Sequence, residues 1–374
     1  MNTENLTVRH GSGAFRVAIL GAGGIAPEHV AVLRRLPNAR VVAVCDLNRD
    51  RAKLLADTFG IPQVFVSPAE MLQESHPDVV HVLLPPAEHA RLATQCLNAG
   101  AHVLIEKPIG ISTPECAALS LAAEASGRAV GVNHNMVYQP VVQRLIHEVR
   151  SRRFGRIAHV NVGWGMPSGP VRASADSRFF LQAPQNILLE WGVHPLSVVR
   201  RLLGNLKQAN SLVTGERHTA TGRPYYSSWQ SSLQCERGTA QFMLAVGDGF
   251  SGVWMDVLGE DALAHVNITH DSMILRGYSA DRPAVAGFRD AWADSRRLFA
   301  TAGRNARDYV LSGLGKPVPG APGQRAMRDS ISAFYTALAH GVAPPEGLAQ
   351  GTAVIKFCEG IFAGAFPKNP GGAL

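Results

Sequence analysis

Two rhythms of apolar and polar residues divide this chain. The run Arg16 to Leu20 (RVAIL) breaks at Gly21-Ala22-Gly23-Gly24-Ile25-Ala26, after which Val30, Leu33 and Leu36 keep helical spacing. Strand, tight turn and helix are expected there. The alternation continues with strands at 40–45, 64–66, 78–84, 101–105 and 129–132, and helices at 49–58, 68–74, 87–98 and 113–126. Strands separated in this way by helices predict an α/β unit, a Rossmann-type doubly wound parallel sheet.

Past residue 132 the rhythm changes. A helix to about Arg150 is followed by strand-like runs at 156–164, 206–217, 229–236, 239–247, 252–258 and 262–269, with turns at Glu236-Arg237-Gly238 and Gly259-Glu260-Asp261. These predict an α+β unit with a large open, mainly antiparallel sheet. Its second face is expected to be rich in Val, Leu, Trp and Phe and to need cover. Residues 284–312, 323–340 and 347–365 read as helices, the first as a charged, solvated one. The expected domains are 1–132 and 133–374.

Composition narrows the classes. With 374 residues, 46% hydrophobic and 17% charged, the chain suits two folded domains and not a disordered protein. Its apolar runs stop well short of the roughly 18 residues of a membrane helix. The polar amino terminus, MNTENLTVRHGSGAF, lacks the pattern of a secretory signal. No membrane partner and a cytoplasmic location are the expectations. Cysteines 45, 96, 116, 235 and 358 form no CxxC pair and read as reduced, buried thiols; the fourteen histidines include no HExxH, so no metal is expected. The net charge of +7 is scattered, which argues against nucleic acid but suits attraction of an anionic cofactor or substrate.

The turn after the first strand reads GxGxxA. Its glycines let the backbone curl and approach a pyrophosphate at the amino end of a helix, where N–H groups and the helix dipole favour negative charge. Gly21, Gly23, Gly24 and Ile25 are therefore expected at a dinucleotide. Asp46 ends the second strand, where a carboxylate accepts from both ribose hydroxyls and repels a 2′-phosphate, favouring NAD over NADP. Arg49 nearby pulls the other way. Leu84 and Pro85 end the strand at 78–84 in the ligand crevice, and Lys107, closing the strand at 101–105, projects toward the same carboxyl-end crevice.

The segments AILGAGGIA, CDLNRDRAKLLADTFG and LLPPAEHARLATQCLNAGAHVLIEKPI, with a later Gly-Val-His, resemble the glucose–fructose oxidoreductase, inositol dehydrogenase and MocA (Gfo/Idh/MocA) family over roughly residues 15–132. The resemblance implies NAD(P)-dependent oxidation or reduction of a sugar, inositol or related polyol, with Lys107 of the Glu106-Lys107-Pro108 tripeptide beside the nicotinamide. It implies that His89 follows the loop that contacts the dinucleotide, and that Glu106 joins the cofactor site. Asn133, His134, Asn135 and Tyr138 become pocket residues, the alternative being a hydrogen-bonded hinge. His81 and His102, inside buried strands, read as structural. The family's open sheet implies a subunit interface and hence a homodimer or homotetramer. Residues 284–312 are longer than the family leads one to expect, as a lid, an oligomer arm or a solvated helix.

The second chemical cluster is Leu188-Leu189-Glu190-Trp191-Gly192-Val193-His194-Pro195. It resembles the family's Asp-x-Gly-x-His segment, with Glu190 in place of aspartate, Pro195 after the histidine and Ser197 where a second aspartate is common. Proline clashes with the carbonyl four residues back, so 190–194 should lead into a helix and form its first turn. His194 is the expected base, Lys107 the group that steadies the alkoxide or relays its proton, and Glu190 a third catalytic or substrate-binding group. Two other activities share this pattern: a glycoside-cleaving enzyme using transient oxidation on NAD, and a non-catalytic NAD(H)-responsive regulator.

Overall fold

The computed structural model describes residues 13–167, 178–219, 221–247, 251–277, 282–313 and 321–366; the polar segment 1–12 lies outside them. The chain divides into two compact units, the first of Met1–Asn135 with Met327–Lys356, the second of Met136–Ala326 with Phe357–Leu374.

The first unit is a parallel sheet of six strands in the order β3-β2-β1-β4-β5-β6. The strands are β1 (Phe15–Leu20), β2 (Ala39–Cys45), β3 (Gln63–Phe65), β4 (Val79–Val82), β5 (His102–Ile105) and β6 (Val130–Val132). Between them lie helices α1 (Ala26–Leu33), α2 (Arg49–Phe59), α3 (Pro68–Ser75), α4 (Pro86–Asn98) and α5 (Thr113–Ser126). Asn48, Ser67 and Ser112 cap α2, α3 and α5 by accepting from backbone N–H groups in the first turn. No side chain caps α1. β4 is shorter than its apolar run because Pro85 and Pro86 turn the chain into α4, although the Leu83 N–H still donates to the Leu20 carbonyl.

One buried cluster joins Val17, Ile19 and Val44 of the strands and Val30 and Leu33 of α1 with Met327, Ile331, Phe334, Tyr335 and Leu338. A Cβ on Gly131 would lie 2.5 Å from the Phe334 ring, so glycine in β6 makes room for that side chain. The core of the first unit is thus completed by residues far along the chain.

In the second unit α6 (Pro140–Arg150) precedes a sheet of seven strands in the order β13-β12-β11-β7-β10-β9-β8. They are β7 (Ile157–Pro167), β8 (Leu206–His218), β9 (Pro224–Cys235), β10 (Gly238–Gly247), β11 (Gly252–Gly259), β12 (Ala262–Asn267) and β13 (Ser272–Gly277). β7 and β10 pair in parallel and every other neighbouring pair is antiparallel. β13 is a strand that the sequence pattern did not signal. One face is apolar and buried, with Val160, Val162, Phe242, Leu244, Met255, Val257 and Val266.

The other face is mixed. It carries Asn161, Gln230, Ser232, Thr239, Gln241 and His265 together with half-buried Trp254, Met243, Leu263 and Ile274 and exposed Leu212 and Leu258. Strict alternation along β9 and β10 sends the apolar set inward and the amides and hydroxyls outward. Helix α7 (Val193–Leu203) belongs to this unit, as does α8 (Pro283–Gly313). The chain closes with α9 (Pro322–Ala339) and α10 (Leu348–Ala365).

Candidate functional site

Gly21 sits at φ +103°, and a Cβ there would lie 2.2 Å from the Leu83 carbonyl oxygen, so no other residue fits this turn. A Cβ on Gly23 or Gly24 would meet nothing within 4 Å, which leaves open ground over the start of α1. The Asp46 carboxylate accepts from the Ala22 N–H (2.8 Å) through Oδ2 and from the Asn48 N–H (2.8 Å) through Oδ1. Those bonds fix its orientation and leave lone pairs on both oxygens, since a carboxylate offers about four acceptor sites. Arg49, the first residue of α2, is exposed.

Behind this turn runs a buried chain of polar groups. His29 Nε2 lies 2.8 Å from Glu106 Oε1, its Nδ1 lies 2.9 Å from His81 Nδ1, and His81 Nε2 lies 3.0 Å from the Tyr335 hydroxyl. Asn133 donates from Nδ2 to Glu106 Oε1, and the Lys107 N–H donates to Glu106 Oε2 at 3.2 Å. Burial alone would push the Glu106 carboxyl up, but hydrogen bonds from His29 and Asn133 and the Lys107 charge hold it down at about 2. Burial, and then the neighbouring His29, hold His81 well below the ordinary imidazole range. The ionised Glu106 carboxylate accepts from His29 Nε2–H.

His89 is buried, with both ring nitrogens 2.6 Å from carbonyls, Nδ1 from that of Pro108 and Nε2 from that of Leu84. It therefore ties the end of β4 to the segment after β5. Burial lowers its affinity for a proton, and the two carbonyls oppose that shift. Lys107 is half-buried and precedes a cis peptide bond to Pro108. Leu84 is half-buried, its Cδ2 3.1 Å from the position of a Gly21 Cβ, and Pro85 is exposed beside it. Asn133 is fully buried, and its Oδ1 has no hydrogen-bond partner among the described residues. His134, also buried, pairs through Nδ1 with Glu346 Oε2 at 3.0 Å.

The uncapped helix start, the open ground over Gly23 and Gly24 and the fixed Asp46 carboxylate fit a cradle for a dinucleotide.

In the second unit, Leu188–Gly192 form a π-helical turn in which the Val193 N–H reaches the Leu188 carbonyl, and α7 follows directly. Pro195 is the third residue of α7, so the missing N–H and the wide turn before it belong together. Glu190 and His194 are half-buried. The His194 ring lies 5.6 Å from that of Trp164 on β7, and Trp191 lies 4.7 Å from Phe180. Ser197 donates from Oγ to the His194 carbonyl at 2.6 Å, anchoring the backbone beside the histidine. Tyr138 is half-buried at the end of a short 3-10 turn, Asn135–Tyr138.

The first unit brings together Gly21, Asp46, Leu84, Glu106, Lys107, His89 and Asn133; the second brings together Glu190 and His194. Sequence reasoning missed His29, Tyr335, Trp164 and Glu346. A signal existed for the first: a histidine in a buried strand, His81, requires a polar partner. Among the described residues, no group of three or more His, Cys, Asp or Glu could hold a metal ion, and no helix is long and apolar enough to cross a membrane.

Residues 15–134 match a family model described as an oxidoreductase family with an NAD-binding Rossmann fold. Among curated proteins, the chain is 23% identical over 239 residues to the D-apiose dehydrogenase of Paraburkholderia graminis, covering 61% of this chain and 62% of that protein. It is 29% identical over 198 residues to the D-glucoside 3-dehydrogenase of Escherichia coli, covering 52% and 55%. It is 28% identical over 316 residues to dTDP-3,4-didehydro-2,6-dideoxy-alpha-D-glucose 3-reductase of Actinomadura kijaniata, covering 80% and 92%. The first two matches thus span less than two thirds of the relatives' own length. Among solved structures, levoglucosan dehydrogenase in complex with NADH superposes with a TM-score of 0.78 at 16% identity, covering 94% of this chain and 97% of that one. That likeness shows the fold.

Proposed function

The chain belongs to the Gfo/Idh/MocA family of oxidoreductases, and on that premise we propose that it moves hydride between NAD and a secondary alcohol or ketone of a sugar, cyclitol or related polyol. The observation that carries the reading is the turn at Gly21 with Asp46 fixed beside it, on the same sheet as Lys107, whose N–H donates to the Glu106 carboxylate. Relatives named as dehydrogenases of D-apiose and D-glucosides support the substrate class. The aromatic rings of Trp164, Trp191 and Phe180 around the His194 segment suit an apolar sugar-ring face.

Bound NAD supplies the hydride acceptor, and the protein's own part is binding, orientation and proton transfer. Gly21, Gly23, Gly24 and Ile25 receive the pyrophosphate, and Asp46 receives the ribose hydroxyls. Leu84 and Pro85 border the cofactor, and His89 holds that segment against Pro108. His194 takes the proton from the substrate hydroxyl and Lys107 steadies the oxygen as charge develops on it. Glu190 and Tyr138 hold further hydroxyls. Asn133 orients Glu106, and His134, paired with Glu346, braces the segment that follows β6. Residues 1–132 serve the cofactor and 133–374 the substrate, except that 327–356 return to complete the core of the first unit. The five cysteines, all free and buried, suit a reducing cytoplasm. The chain works as a homodimer or homotetramer.

A panel of sugars, inositols and glycosides, assayed with NAD and NADP for both NADH absorbance and aglycone release, tests the activity. NADH formation with a polyol or sugar is expected. Aglycone release without net NADH would replace this reading with glycoside cleavage, and inertness across the panel with NAD still bound would favour a regulator. With a substrate in hand, Lys107→Met and His194→Ala should each lower turnover by roughly two to four orders of magnitude and leave NAD affinity nearly intact. Loss of NAD binding in Lys107→Met would make this lysine a cofactor ligand instead.

A further inference from the structure

In the second unit, the last turns of α6 and α7 and the turn between β9 and β10 meet around a cavity of about 390 Å³. Ile146, Val149 and Leu202 give it apolar walls, and Arg150, Arg200, Arg201 and Arg237 border it together with one acid, Glu236. That acid is already engaged. Its Oε1 accepts from Asn205 Nδ2 at 2.9 Å, and hydrogen bonds from Asn205, then the charges of Arg237 and Lys207, hold its carboxyl below the ordinary carboxylate range. Arg237 donates from Nη2 to the Leu202 carbonyl at 3.3 Å and the Arg201 carbonyl at 3.5 Å, so it covers oxygens at the end of α7 that would otherwise repel an anion. Arg150 and Arg201 stand apart from arginines elsewhere. Arg144, Arg153, Arg156 and Arg276 each hold a carboxylate. Among the described residues, neither the Arg150 nor the Arg201 guanidinium makes a hydrogen bond or an ion pair.

We propose that this cavity binds a small phosphate monoester, its phosphate against Arg150 and Arg201 and its body along Ile146, Val149 and Leu202. Charge selects an anion, because four guanidiniums against one carboxylate leave a formal excess of three positive charges around the cavity. Geometry selects phosphate. One guanidinium fork saturates a planar carboxylate, whereas a tetrahedral phosphate offers oxygens to guanidiniums that come from different elements, here α6 and α7. Volume selects an ester over the bare ion: 390 Å³ is the share of on the order of a dozen waters, more than a phosphate fills, and the remaining wall is apolar. On α7, Arg201 lies roughly 10 Å along the helix axis from His194, at the opposite end of the helix, so this cavity is separate from the candidate substrate site. A ligand held by both arginines ties α6 to the helix that carries His194.

Phenyl phosphate is the probe, because it joins a dianionic phosphate to an apolar body and is neither a sugar nor a polyol. Titrated by calorimetry at low salt into the full chain with NAD present, it should bind with a Kd of about 1 mM or tighter. Phenyl sulfate, a monoanion of the same shape, and inorganic phosphate, which lacks the body, should each bind at least about fivefold more weakly. The double variant Arg150→Gln/Arg201→Gln should weaken phenyl phosphate by about tenfold or more, with NAD affinity and far-UV circular dichroism unchanged. No heat of binding in the parent overturns the site. Equal affinity in parent and double variant, the result if the phosphate sits instead on the turn at Gly21, overturns it as well. Equal affinity for phenyl phosphate and phenyl sulfate, with both weakened in the variant, overturns phosphate as the ligand class.

Discussion

Glu106 carries its charge where an isolated charge is costly, and its neighbours make that charge tolerable. Its carboxyl is held at about 2 against an ordinary 4.5, so the folded state gains stability from ionisation above pH 4.5 and loses it as pH falls toward 2. His29→Phe removes the main donor, so the carboxyl should take up its proton at higher pH and acid unfolding should begin at least one pH unit earlier. Circular dichroism followed from pH 7 to pH 2 would show this, and an unchanged acid limb would remove His29 from that role. Asp46 makes a second test. Asp46→Ala should narrow the preference for NAD over NADP in a binding titration, and NADP bound more than tenfold tighter by the parent would mean that Arg49 dominates. Much of this was legible in the sequence, because the glycine turn, the acid after β2 and the lysine after β5 are local patterns with fixed geometry. The His29–His81–Tyr335 chain was not, because its members come from α1, β4 and α9 and meet only when the sheet is assembled.

Among the elements, the π-helical turn at Leu188–Gly192 is the one whose shape bears most directly on chemistry. Pro195 has no N–H to offer the Trp191 carbonyl, and the wider turn before it accommodates that loss. Pro195→Ala would let residue 195 close an ordinary α-helical bond to residue 191. Glu190 would then rotate relative to His194. Turnover should fall about tenfold while Tm stays within a few degrees. A parallel kinetic and thermal-melt comparison decides it, and a variant with full activity would show that the wide turn is incidental. Proline signalled the helix start here, yet the π geometry left no trace in residue spacing. β13 escaped for a different reason: Ser272-Met-Ile-Leu-Arg-Gly is short and does not alternate, and its strand character comes from pairing with β12. Helix α8 was legible as a helix, whereas the side by which it docks is set by the Arg276–Asp294 ion pair and a hydrogen bond from Arg297 to the Leu275 carbonyl, which no local pattern encodes.

At the scale of the whole molecule, the first unit is discontinuous in sequence. Apolar periodicity showed that 323–340 is a helix with a face to bury, but periodicity does not say which sheet receives it. Met327, Ile331, Phe334, Tyr335 and Leu338 belong to the same buried cluster as Val17 and Ile19. A fragment ending at residue 135 should therefore lack a stable fold, and adding a peptide spanning 327–356 in trans should restore chemical-shift dispersion in its NMR spectrum. Well-dispersed spectra from the fragment alone would show that the late helix is dispensable. The same arrangement dictates the order of events during synthesis. Glycine turn, strands and Asp46 leave the ribosome well before the side chains that seal them, which begin only at Met327. At about 5–20 residues per second, the nascent amino-terminal sheet waits on the order of ten to forty seconds with one side of its core open. During that interval it is a natural client for holding chaperones, and any message truncated before the codon for Met327 yields a cofactor fold that cannot close.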